Sequence, residues 1–227
     1  MSGWVVVIPV KPLARAKSRL AGQLGALRAS LAYAFAADTV EACLAATSVI
    51  RTVILTEDPE IRALAARSGA EVCDESTLAL GLGPSAGSAN GRLNVLLRRF
   101  ARRFAPRSPL VVVPADLPCL RPADLDAALR RADAFPSACL ADRHVVGTTL
   151  LTAHAGEDLH PAYGPHSVAR HVARGARLLR SEGLERAQVD VDTIADLRYA
   201  ARLGVGRHTR MWGVRSGAAL EALADVG

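Results

Sequence analysis

Aromatic rings are scarce: the chain of 227 residues holds four Phe, three Tyr and two Trp. So few rings leave no platform on which bases could stack, and no basic tail accompanies them. The net charge of +6 is therefore not read as the footprint of a nucleic-acid binder; the densest basic clusters, 98–103 and 170–180, read as helix faces. The four cysteines, Cys43, Cys73, Cys119 and Cys139, lie far apart without a C-x-x-C pair. That spacing argues against a zinc site and a disulfide framework and for buried thiols in a reducing compartment. No apolar run has the length of a membrane span, and no basic segment followed by an apolar one opens the chain, so a soluble cytoplasmic protein is expected. G-x-G-x-x-G after the first strand and G-x-x-x-x-G-K-[ST] are also missing, which removes the dinucleotide fingerprint and the P-loop. No internal repeat is found.

What is present is an alternation of apolar runs and helical periods. Half of the residues are apolar, enough for one sizeable core. Strands are expected at 5–10, 49–56, 71–73, 109–114, 137–140 and 147–151. Helices are expected at 27–46, 58–68 (capped by Asp58 and stopped by Gly69), 92–104, 122–134, 168–180 and 194–203. Residues 76–91, rich in Gly, Ser and Ala, break every period and read as a mobile loop beside a site, or simply as a tolerated insertion. The pattern predicts an α/β fold, a three-layer α/β/α sandwich around a mostly parallel central sheet. A single domain is expected over 1–206, with 207–227 as a C-terminal tail of weak periodicity.

Ligands of open α/β sheets bind at the carboxyl ends of strands, and three polar segments fall there. The loop after the first strand carries Lys11, Arg15, Lys17 and Arg19; such cations can hold a polyphosphate, or simply form a solvated loop. The run "VVVPADLP" delivers Asp116 just past a buried strand, where a carboxylate is costly unless solvated, paired or metal-bound. In "DVDT", Asp190 and Asp192 alternate on an extended segment and share one face. Two close carboxylates repel unless a cation lies between them; with Asp116 they make an oxygen-rich set suited to Mg²⁺. Asp192 or Thr193 would also cap the following helix. Between these segments, "GTTLL" and "HPAYGPHSVARH" put Ser167 near the first turn of a helix, where an anion could dock. His166 and His171 read as surface or packing residues rather than metal ligands.

Taken together, "VIPVKPLARAKSRL" (7–20), "LN" (93–94), "PADLPCLRP" (114–122), "ADRHVVGTTLL" (141–151), "LHPAYGPHSVARH" (159–171) and "DVDTIADL" (190–197) resemble one family. It is the phosphoenolpyruvate or 2-phospho-L-lactate guanylyltransferase family of coenzyme F420 biosynthesis, which has the nucleotidyltransferase fold of GT-A type. The resemblance implies transfer of GMP from GTP to a phosphorylated three-carbon acid, with release of pyrophosphate and Mg²⁺ as cofactor. It implies Lys17 and Asp116 as catalytic residues, and Asp116, Asp190 and Asp192 as metal ligands. Lys11, Lys17, Arg19 and Asn94 would contact the nucleotide; Thr148, Gly164 and Ser167 would contact the acid. It further implies a downstream deazaflavin-transferring enzyme as partner and a homodimer as a common assembly; nucleic acid and membrane are not expected partners. Phosphoenolpyruvate is the first choice of acid, with 2-phospholactate and 3-phosphoglycerate open. Two other readings stand beside it: a related nucleotidyltransferase with another nucleotide or acceptor, and a non-catalytic α/β partner protein.

Overall fold

The computed structural model describes residues 3–81 and 88–217. Among these residues seven strands form one sheet in the order β3-β2-β1-β4-β6-β5-β7: β1 (Trp4–Pro9), β2 (Val49–Leu55), β3 (Glu71–Cys73), β4 (Leu110–Val112), β5 (Ser137–Ala141), β6 (Thr148–Ala153) and β7 (Arg177–Leu178). All neighbours are parallel except β6, which runs against both β4 and β5. That one reversal brings the N-terminal end of β6, at Thr148, to the edge where β1 and β4 end.

The continuous apolar runs of the central strands are explained by cover on both faces. Alternate residues Val6, Ile8, Ile54, Val111 and Val113 pack with α2 (Leu27–Ala45), α3 (Pro59–Ser68) and α6 (Pro122–Ala132). Val5, Val7, Val53, Leu55 and Val112 pack with Leu96, Leu97 and Phe100 of α5 (Ala89–Phe104). These are the two outer layers of the expected sandwich. Short helices α1 (Ala21–Leu24) and α4 (Glu75–Ala79) fill the connections. Then α7 (Ser167–Val172), α8 (Ile194–Leu203) and α9 (Arg207–Ser216) complete the chain.

Three boundaries differ from the sequence reading. The helix expected at 168–180 stops at Val172, because Gly175 turns the chain at φ +94 and β7 then joins the sheet. The expected 76–91 loop is shortened from both ends by α4 and α5, whose start is capped by the Ser88 hydroxyl accepting from the Gly91 amide; residues 82–87 lie outside the described ones. Of the tail set apart at 207–227, residues Arg207–Ser216 form α9, docked on α2, and 218–227 lie outside the described residues.

The docking of α9 has a specific cause. Asp38 of α2 is buried, and its carboxylate accepts hydrogen bonds from the His208 and Thr209 amides at 2.8 and 2.9 Å. It thereby satisfies the free N–H groups of α9 from another helix. Gly206 lies against it, and a Cβ there would stand 2.4 Å from the carboxylate. Gly206→Ala is therefore expected to push Asp38 off these amides at a cost of roughly 2 kcal/mol. Urea denaturation measures it; an unchanged midpoint would refute this account of the docking.

Candidate active site

The basic loop after β1 is not solvated slack. Thr56 Oγ1 donates to the Val10 carbonyl (2.9 Å) and the Leu13 amide donates to Asp58 (2.8 Å). Arg28 donates to the carbonyls of Ala14 and Ala16, each at 2.6 Å. So clamped, the loop holds Lys17 in the left-handed region at φ 50, a conformation costly for a lysine and kept only where the surroundings enforce it. The result is that Lys17 Nζ lies 2.5 Å from Asp116 Oδ2 and 3.0 Å from Asp192 Oδ1, with its side chain only 8% exposed. Arg19, largely exposed, reaches Asp192 Oδ2 at 3.2 Å. Lys11 and Arg15 are exposed on the same loop.

Asp116 follows β4 on a loop tied to α2, where the Leu117 amide donates to Thr39 Oγ1 (3.2 Å). The Asp116 carbonyl in turn accepts from the Val191 amide at 3.2 Å, which brings the "DVDT" segment alongside. There Val189 and Val191 are buried while Asp190 and Asp192 are half-buried on the opposite face. Thr193 caps α8 in a reciprocal pair with Asp196. Arg143 grips Asp196 at 2.6 Å, and its amide donates to the Gln188 carbonyl, so the segment is fixed at both ends.

The electrostatics of this junction are unbalanced. Burial works against the charge on Lys17, but Asp116 and Asp192 outweigh it and raise its pKa. Burial, then repulsion from Asp116, Asp142 and Asp192, pushes Asp190 up to about 7 against the pull of Lys17. Asp116 Oδ1 is buried without a hydrogen-bond partner among the described residues. An all-oxygen donor set with surplus negative charge and an orphaned carboxylate oxygen fits a hard divalent cation. Among the described residues Asp116, Asp190 and Asp192 do not form one set with all ligand oxygens within 4.8 Å of one another, and Lys17 contacts both Asp116 and Asp192. Among the described residues Asp38, Glu41 and His208 do meet that separation, and the capping of α9 accounts for them.

At the start of β6, Thr148, Ser167 and His171 form a buried cluster: Ser167 Oγ lies 3.0 Å and His171 Nδ1 2.9 Å from Thr148 Oγ1. Gly164 adjoins it at φ +131, and a Cβ there would stand 2.9 Å from the Arg170 guanidinium. Asn94, expected beside the nucleotide, is buried and uses both ends of its amide on the Tyr163 backbone, accepting from the amide at 2.8 Å and donating to the carbonyl at 3.1 Å. These two bonds hold the turn that carries Gly164. Asn94→Asp, which turns the donor into a second buried acceptor, is expected to cost about 2 kcal/mol; chemical denaturation checks it, and a neutral result would refute this role.

The sequence reading brought Lys17, Asp116, Asp190 and Asp192 to one edge. It missed Asp142, a further carboxylate close enough to raise Asp190, whose own oxygens accept from the amides of His144, Val146 and Gly147. The one sequence trace of that turn is Asp142 five residues before Gly147, where a Cβ would stand 2.6 Å from the carboxylate.

No family model matches the chain. A phosphoenolpyruvate guanylyltransferase of Streptomyces scabiei is 47% identical over 214 residues, spanning 91% of this chain and 94% of that protein. One of Thermomonospora curvata is 44% identical over 207 residues, spanning 91% and 86%. Among solved structures, one assigned as a nucleotide-diphospho-sugar transferase from Desulfovibrio desulfuricans G20 superposes over 100% of both chains with a TM-score of 0.66 at 17% identity, a likeness of fold. With the carboxylate–lysine junction at the strand ends and relatives of this identity over nine-tenths of its length, the chain belongs to the phosphoenolpyruvate guanylyltransferase family, a family of nucleotidyltransferases.

Proposed function

We propose that the protein transfers GMP from GTP to phosphoenolpyruvate, releasing pyrophosphate, with Mg²⁺ held by Asp116, Asp190 and Asp192. The observation that carries this is the lysine bridging two carboxylates beside an unpartnered Asp116 oxygen. When bound, the cation would neutralise charge on the phosphate oxygens around the α-phosphorus. Lys17, with Lys11 and Arg19, would hold the triphosphate. The acid's phosphate oxygen attacks the α-phosphorus in line and pyrophosphate leaves, so catalysis is positioning and charge neutralisation without a covalent enzyme intermediate. Thr148, Gly164 and Ser167 would hold the acid away from water. We place the reaction in coenzyme F420 biosynthesis, with a deazaflavin-transferring enzyme consuming the product, in the cytoplasm, where the four free, buried cysteines are at home. Among the described residues no helix is long and apolar enough to cross a membrane.

The test is pyrophosphate release across GTP, CTP, ATP and UTP with phosphoenolpyruvate, 2-phospholactate or 3-phosphoglycerate, with a trapping acceptor enzyme present. Turnover with GTP and phosphoenolpyruvate supports the proposal. Preference for another acid corrects the acceptor, and turnover with another nucleotide corrects the donor.

A further inference from the structure

His171 is fully buried, and the reaction as proposed gives it no task. Its hydrogen bonds are nevertheless one-sided. The Ala162 amide donates to Nε2 at 2.8 Å, so Nε2 must present its lone pair. Burial, followed by the charges of Arg174 and Arg170, lowers the pKa of the ring to about 4, so it is neutral and its single proton sits on Nδ1. Nδ1–H then donates to Thr148 Oγ1 at 2.9 Å.

The consequence appears when the hydroxyl protons are counted. Thr148 and Ser167 lie 3.0 Å apart, so one hydroxyl proton is used between them whichever donates. With His171 also donating to Thr148, the pair keeps one proton for something else, and neither side chain has another partner among the described residues. Were the proton on Nε2, Thr148 would spend its hydroxyl on Nδ1 and Ser167 would spend its own on Thr148. The pair would then offer only lone pairs and would repel an anion.

We propose that His171 is a positioning residue: the Ala162 amide fixes its Nδ1–H tautomer, which makes the Thr148–Ser167 pair a net hydrogen-bond donor for a carboxylate or phosphate oxygen of the acceptor acid. This rests on the reading of Thr148 and Ser167 as acid contacts. The surroundings agree, since Arg170 adjoins Gly164 and Arg174 is fixed to the Pro161 carbonyl at 2.7 Å.

Two measurements test it. Long-range ¹H–¹⁵N spectra of the wild-type imidazole are expected to show a protonated Nδ1 and a bare Nε2 at neutral pH; the opposite tautomer overturns the inference without any variant. Steady-state kinetics then compare Thr148→Val, His171→Leu and His171→Asn, whose amide reaches the Nδ1 position and can donate. Thr148→Val and His171→Leu are expected to raise KM for phosphoenolpyruvate about tenfold or more with KM for GTP unchanged, and His171→Asn to recover most of that loss. A raised acid KM in Thr148→Val with none in His171→Leu overturns the role of His171 alone. An unchanged acid KM in Thr148→Val overturns the acid-site reading, and this inference with it. Should His171→Leu not fold, the tautomer and the His171→Asn kinetics decide.

Discussion

Asp116→Asn is expected to reduce pyrophosphate release about a thousandfold while leaving the melting temperature within a few degrees of wild type. The two halves have different causes. Activity falls because the amide removes the anionic oxygen that no other group in the junction satisfies and weakens the anchor of Lys17. Stability holds because losing the Lys17–Asp116 ion pair is offset: Lys17 keeps Asp192 at 3.0 Å, and Asp190 loses one of the carboxylates that repel it. A like-charge cluster kept at the expense of stability is the mark of a site built for a cation. A coupled pyrophosphate assay and differential scanning fluorimetry suffice. Wild-type turnover in this variant would end the assignment of Asp116; a collapse in melting temperature would make the loss of activity structural.

Lys17→Met is expected to lower turnover about a hundredfold and, in contrast, to cost stability in a pH-dependent way. Without divalent cation, Lys17 is the buried counter-charge to the cluster. Asp190 has an ordinary carboxyl pKa of 3.8 when unfolded and about 7 when folded. A carboxyl whose folded pKa is the higher binds its proton more tightly when folded, so stability falls as pH rises from the unfolded value through the folded one. Removing Lys17 raises the folded pKa further and widens that window. The variant should lose about 2 kcal/mol at pH 8 and clearly less at pH 5. Urea unfolding in the presence of a chelator reads this directly. An equal loss at both pH values would mean that Lys17 contributes packing rather than charge.

How much of this was legible in the sequence depended on the range of the interaction. The central strands were readable because two-sided burial leaves an unbroken apolar run, as in Val5–Val7 and Leu110–Val112, which are buried throughout. Helix α8 was read to the residue, since its stop and its Thr193 cap are local signals. The lysine and three carboxylates could be picked out by type and place, because strand ends converge on one edge. Their pairing could not: the bridge from Lys17 to Asp192 spans 175 positions. Helix α9 was missed because its start is satisfied by Asp38, 170 residues earlier, and its own sequence offers only Gly206 at the N-cap, with no capping side chain. The contact that fixes Asn94 was hidden for the same reason, its amide being answered by Tyr163, 69 residues away. His171 looked like packing because a tautomer is set by partners in space, here Ala162 and Thr148.

The most direct test of the central claim follows the label of [α-³²P]GTP incubated with phosphoenolpyruvate, Mg²⁺ and the trapping enzyme. The account predicts that the α-phosphorus passes into the acid-linked product, that unlabelled pyrophosphate is released in equal amount, and that both vanish with a chelator or in Asp116→Asn. Label recovered only in GDP or GMP, or transfer that persists without divalent cation, would contradict it.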